Sequence, residues 1–194
     1  MIILGLTGSI GMGKSATAEM FRSEGVAVHD SDAAVHQLYR GAAVPSVQQM
    51  FPGAIVDGAV DRAKLAAEVL GDPAKLKALE VLIHPLVASA RIEFIARRKA
   101  AGDLVCLVDI PLLFETGGEK DADLVVTCSA ADHIQEQRVL ARPAMTREKF
   151  LAIRKKQVPD EIKRRRSHFI IDTGHGFEFA RMQVQALLRA ITRT

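Results

Sequence analysis

Gly8-Ser9-Ile10-Gly11-Met12-Gly13-Lys14-Ser15 has the spacing of a phosphate-binding loop: a glycine, four residues, a second glycine, then lysine and a hydroxyl. Glycines are needed where backbone N–H groups must converge on an anion, and Gly8, Gly11 and Gly13 supply that freedom. Lys14 is then placed to reach the β and γ phosphates of a nucleoside triphosphate, and the Ser15 hydroxyl to ligate Mg2+. A helix starting near Lys14 would add its N-terminal dipole to the same anion. The loop sits between an apolar run, Ile2 to Thr7, and a helical pattern, Ser15 to Ser23. Strand, loop and helix in that order open a P-loop NTPase-type α/β fold.

Outward from the loop, short apolar runs alternate with longer helical patterns, the signature of βαβ units around a parallel sheet. The expected strands are Ile2 to Thr7, Val26 to His29, Leu104 to Asp109, Leu124 to Cys128 and Phe169 to Asp172. Five parallel strands flanked by helices follow. The stretch between His29 and Leu104 is too long for one crossover helix and predicts a helical insertion. Pro85 should kink its second helical segment, Leu76 to Ala96. Ile55-Val56-Asp57-Gly58-Ala59-Val60 has the Asp-Gly turn of a small hairpin. A second insertion, Asp132 to Ser167, is helical and strongly basic, with Arg138, Arg142, Arg147, Arg154, Lys155, Lys156 and Lys163 to Arg166. A closing helix, Phe177 to Ile191, repeats Phe179, Met182, Ala186, Leu187 and Ala190 at helical spacing. The expected organisation is one domain: a core of residues 1–30, 101–131 and 168–194, an insertion of 31–100 and a lid of 132–167.

A chain of 194 residues, 48% apolar, can bury one good core. Its 26 basic and 23 acidic residues leave a net charge of +3, a mildly basic surface suited to anionic metabolites rather than to a DNA duplex. No basic leader and no apolar run of membrane-spanning length is present, so a cytoplasmic protein without a membrane partner is expected. Cys106 and Cys128 lie inside strand-like runs and read as buried, reduced thiols. The chain has no asparagine, so the Asn-Lys-x-Asp motif that reads guanine is absent, and so is any Asp-x-x-Gly switch. Both absences count against a GTPase.

Phosphoryl transfer to an alcohol calls for a carboxylate beside the acceptor hydroxyl. Asp30-Ser31-Asp32 follows the second strand, at the sheet edge where ligands gather, with Asp30 or Ser31 fit to cap a helix and Asp32 to act on the acceptor. Asp109 ends the third strand and can hold the magnesium shell through a water. Arg138 and Arg142, four apart on one predicted helix face, can close over ATP and stabilise the transferred phosphoryl group. Lys155, Lys156 and Arg164 to Arg166 read as a solvated basic face.

These motifs together resemble the dephospho-coenzyme A kinase family, along almost the whole chain. The resemblance rests on Gly5-Leu6-Thr7-Gly8 through Ser15, Val28-His29-Asp30-Ser31-Asp32, Ile83-His84-Pro85-Leu86 and Asp109-Ile110-Pro111-Leu112-Leu113-Phe114-Glu115. It extends to Gln137-Arg138 with Arg142, Thr146-Arg147-Glu148, Gln157 and Ile170-Ile171-Asp172. It implies a nucleotide-binding core, a coenzyme A subdomain, a mobile lid, and transfer of the γ-phosphoryl group of Mg-ATP to the ribose 3'-hydroxyl of dephospho-coenzyme A. Asp32 matches the family's general base, Lys14 and Ser15 its phosphate and magnesium contacts, and Arg138 and Arg142 its lid arginines. Gly8, Gly11, Met12, Gly13 and Ala16 complete the nucleotide contacts, and His84, Pro111, Leu112 and Glu115 match segments bordering the acceptor pocket. Ser9, Ala16, His168 and Thr173 depart from the usual family residues, with Ser9 tolerated if its dihedrals permit. A monomer without nucleic acid is expected. The rivals are another small-molecule kinase, for a nucleoside or nucleotide, and a nucleic-acid-stimulated ATPase suggested by the basic insertion.

Overall fold

Strand β1 (Ile2–Thr7) lies at the centre of a five-stranded parallel sheet, between β5 (Val105–Asp109) and β6 (Leu124–Ser129). With β2 (Ala27–Asp30) and β7 (Phe169–Asp172) at the edges, the order is β2-β5-β1-β6-β7. Leu4 stands opposite Leu107 on one side and Leu124 on the other, and every residue of β5 is buried. Burial of both faces is why these strands read as unbroken apolar runs rather than alternating ones. This is a computed structural model, and it describes residues 1–192.

Two units are distinguishable, Met1–His29 with Arg98–Thr194, and Asp30–Arg97. The first holds the sheet with helices α1 (Lys14–Ser23), α6 (Asp132–Leu140), α7 (Arg147–Lys156), α8 (Asp160–Arg166) and α9 (Phe177–Thr192). Its main core joins Leu4 and Leu6 of β1 to Phe21 of α1, Leu107 of β5, Val126 and Cys128 of β6, Ile171 of β7, and Val184 of α9. Burying a side chain such as Phe21 is worth about 1.5–3 kcal/mol.

The second unit contains α2 (Ser31–Leu38), α3 (Val44–Met50), the strands β3 (Ile55–Val56) and β4 (Ala59–Val60), α4 (Arg62–Val69) and most of α5 (Pro73–Ala100). Its own core gathers Tyr39, Val47, Phe51, Leu65, Leu79 and Ile83. β3 and β4 form the expected hairpin, with Asp57 at φ 49° and Gly58 at φ 75°, the paired left-handed residues of a primed turn. Asp30 caps α2 by accepting from Ala33 N at 3.0 Å. Asp61 caps α4 through two bonds of 2.9 Å, from Ala63 N and Lys64 N.

Helix α5 runs from Pro73 to Ala100 with Pro85 inside it, where the proline removes one backbone donor. Two local expectations are corrected. Helix α6 ends at Leu140, so Arg142 sits in the following turn rather than on a shared helix face; it precedes Pro143, which disfavours helical dihedrals at position 142. In α9 the buried stripe is Ala180, Val184 and Leu187, whereas Phe179 is 43% and Met182 62% exposed. That helix is apolar on more than one face, so composition did not set its rotation.

Candidate active site

The phosphate loop bridges β1 and α1, and its shape follows from where its carbonyls go. Ser9 O accepts from Met12 N at 3.1 Å, and Gly13 O accepts from Thr17 N at 3.0 Å and Thr17 Oγ1 at 3.1 Å. Ile10 O accepts from Gln135 Nε2 at 2.8 Å, while Met12 O lies 3.1 Å from Thr173 Oγ1. In one planar peptide the C=O and the following N–H point in opposite directions. Carbonyls of Ile10, Met12 and Gly13 held from behind therefore turn the N–H groups of Gly11, Gly13 and Lys14 to the other side, as an anion cradle requires.

Gly11 at φ 79° and Gly13 at φ 80° take dihedrals that side chains resist, and a Cβ on Gly11 would come within 2.5 Å of Val139 Cγ2. Ser9 is not among the positive-φ residues, so its backbone admits a side chain. No side chain caps α1, and its first turn keeps its amides for a ligand.

Lys14 Nζ lies 2.6 Å from Asp109 Oδ1 at the end of β5, with side-chain exposures of 16% and 4%. Ser15 is exposed at the start of α1. Met12 points its side chain into the core, where its Sδ accepts from Ala130 N at 3.1 Å, so only its backbone is available to a nucleotide.

Two cavities flank the loop. One of about 270 Å³ is lined by Gly11, Gly13, Ala16, Arg138, Arg142 and Thr173, with Phe177 at its apolar side. Arg138 spans Thr173, donating to Oγ1 at 3.0 Å and to the carbonyl at 2.6 Å. The Thr173 hydroxyl in turn reaches Met12 O, so the arginine is tied to the loop through one side chain. The second cavity, about 650 Å³, is lined by Ser9, Gln135, Arg154, Lys155, Gln157 and Arg164, among others. Lys155 and Arg164 had read as part of a solvated face, and nothing in their run of charge marks them as cavity residues.

The sequence signal also missed Lys163, which is fully buried with Nζ 2.9 Å from Glu115 Oε1. The same oxygen accepts from Val158 N at 2.8 Å. Glu115 thus spends one carboxylate oxygen on the 132–167 segment. Arg166 stacks 4.5 Å from the centre of the Phe114 ring and pairs with Glu119. Arg147 pairs with Glu136, Arg154 with Asp132, and Arg165 with Glu161, so three of the arginines of the basic insertion are paired within it.

Pro111 follows β5 and accepts from Thr7 Oγ1 at 3.2 Å, and Leu112 beside it is 43% exposed. In the other unit, Asp32 is exposed in the first turn of α2, and His84 is exposed on α5. Both cysteines are free and buried, and burial pushes the Cys106 thiol up to about 11 and that of Cys128 to about 12. Among the described residues no cluster of three or more His, Cys, Asp or Glu could hold a metal ion, and no helix is long and apolar enough to cross a membrane.

The sequence profile of the dephospho-CoA kinase family matches residues 2–178. A dephospho-CoA kinase of Mesorhizobium japonicum is 61% identical over 188 residues, covering 97% of this chain and 95% of the relative. One of Bradyrhizobium diazoefficiens is 51% identical, covering 100% and 97%. A crystal structure of a Thermus thermophilus protein superposes with a TM-score of 0.85 at 35% identity, covering 100% of this chain and 98% of that one. A shikimate kinase of Acinetobacter baumannii, at 17% identity, a TM-score of 0.51 and coverage of 98% and 93%, shares the fold.

Proposed function

The chain belongs to the dephospho-CoA kinase family, and from that premise we propose how its residues divide the work. The reaction is ATP-dependent phosphorylation of the ribose 3'-hydroxyl of dephospho-coenzyme A, giving coenzyme A and ADP. The observation that carries the reading is the phosphate loop with its carbonyls bonded from behind and Lys14 paired to Asp109, in a chain that matches the family over residues 2–178.

In this reading the loop amides and the N-terminus of α1 hold the β and γ phosphates. The smaller cavity, with Ala16 and Phe177 on its apolar side and Arg138 and Arg142 at its rim, receives the nucleoside. Ser15 and Asp109 are hard oxygen donors of the kind Mg2+ takes alongside phosphate oxygens, which suits a site with few protein ligands; Mg2+ would neutralise charge on the transferred group. When nucleotide arrives, Lys14 exchanges its internal partner Asp109 for the phosphates. Asp32 accepts the proton of the 3'-hydroxyl as that oxygen attacks the γ phosphorus in line and the bond to the β-phosphate oxygen breaks. His84, Pro111, Leu112 and Glu115 border the acceptor, and residues 132–167 act as a lid that excludes water. The enzyme works as a cytoplasmic monomer without nucleic acid; the acidic partners of Arg147, Arg154, Arg165 and Arg166 support that last point.

An acceptor panel tests the reading. With Mg-ATP and an ADP-release assay, dephospho-coenzyme A gives strong turnover, and nucleosides, nucleotides and shikimate do not. Preference for any of those would overturn it.

A further inference from the structure

We propose that Gln135 and Gln157 are positioning residues that grip the two sides of Ile10 and so hold the phosphate loop in its anion-receiving shape before a nucleotide binds. Gln157 Oε1 accepts from Ile10 N at 3.1 Å, and Gln135 Nε2 donates to Ile10 O at 2.8 Å. Two side chains from opposite ends of the α6–α7 segment therefore satisfy the N–H and the C=O of a single loop residue.

Each glutamine is itself anchored. Gln135 is 1% exposed on α6, a helix so close to the loop that a Cβ on Gly11 would lie 3.0 Å from Gln135 O. Gln157 ends α7, and the next residue is fixed by the bond from Val158 N to Glu115 Oε1. The choice of residue has a chemical logic. A carboxamide can offer an acceptor to an N–H or a donor to a C=O without placing charge beside the phosphates. A carboxylate at 157 would repel the phosphates, and an ammonium at 135 would compete with Lys14 for them. Holding Ile10 O also directs the N–H of Gly11 toward the anion.

The inference rests on the reading of the loop as the site of a nucleotide's β-phosphate, and ADP and AMP separate the two claims, because AMP has no β-phosphate to place there. Calorimetric titration of wild type, Gln157→Met, Gln135→Met and the double variant is the experiment. Each single variant should bind ADP about three- to tenfold more weakly, the loss of one neutral hydrogen bond, with AMP affinity unchanged. The double variant should lose less than the product of the two, because both bonds hold one residue. Unchanged ADP affinity, or equal weakening of ADP and AMP, overturns the brace. A wild-type protein with no preference for ADP over AMP would instead overturn the loop reading on which the brace depends. Gln157 is only part-buried, so Gln157→Met decides the matter alone if Gln135→Met fails to fold.

Discussion

Lys14 Nζ and Asp109 Oδ1 are 2.6 Å apart, so the cation that should serve a phosphate is held by the carboxylate that should serve the metal. Lys14→Met removes a charge-assisted contact to the transferring group and should lower kcat/KM by about 10²- to 10³-fold. It also takes one charged partner from a nearly buried carboxylate, at about 3 kcal/mol or less in unfolding free energy given the partial exposure of Lys14. Lys14→Met with Asp109→Asn should recover most of that stability and none of the activity. Urea denaturation and steady-state kinetics read the two effects separately, and a double variant that regained turnover would rule out a phosphate role for Lys14.

Asp32→Asn should cut kcat by about 10²- to 10⁴-fold, the range for a lost general base, while dephospho-coenzyme A and ATP still bind. Asp32 is exposed and Asp30, not Asp32, caps the helix, so the melting temperature should barely move. Near-normal turnover in the variant would remove Asp32 from the chemistry.

The Lys163–Glu115 pair tests whether Glu115 serves the acceptor or the fold. Glu115→Ala leaves a fully buried ammonium without its ion-pair partner and the Val158 N–H without its acceptor, at about 3–5 kcal/mol. Lys163→Met with Glu115→Gln, neutral and still able to accept from Val158 N, should unfold near the wild-type urea midpoint. If that double variant is stable but its KM for dephospho-coenzyme A rises well above wild type, the Glu115 charge contacts the substrate as well.

Cys106 and Cys128 have folded-state pKa values of about 11 and about 12, raised above the ordinary thiol value by burial. Raised values mean that the native state holds these protons more tightly, so their stabilising effect is complete below the ordinary thiol pKa. It fades as the pH climbs from there toward the folded values, at about 1.4 kcal/mol per pH unit for each thiol. Urea midpoints should therefore drop between pH 8 and pH 10, and less steeply in Cys128→Ala. At neutral pH a thiol-directed reagent should modify neither residue until the protein unfolds; rapid labelling of the native protein would contradict the burial.

The parts of this molecule readable in its sequence are those where one residue type alone satisfies the backbone or the chemistry. Gly11 and Gly13 occupy positive φ, Lys14 follows them, and the loop announces itself; the Asp57-Gly58 turn is legible for the same reason. Strand β5 was legible because burial on both faces leaves only apolar residues. Failures occur where distant partners decide. Lys163 lies among arginines that face water, and its burial depends on Glu115, 48 positions away (163 − 115). Gln135 looks like any polar residue on a helix, since its role depends on Ile10. The rotation of α9 was undecidable from a sequence apolar on several sides, because the sheet selects Ala180, Val184 and Leu187. Arg142 lines the same cavity as Arg138 but from a turn, with Pro143 ending the helical option.

The double hold on Ile10 has a consequence for how the position can vary. Both bonds are to its main chain, and the partly buried side chain contributes to neither. Exchange among alanine, valine, serine and the like should pass unnoticed there, whereas proline, which has no N–H to give Gln157, should be purged by selection. Position 10 is thus constrained as a peptide group and nearly free as an amino acid.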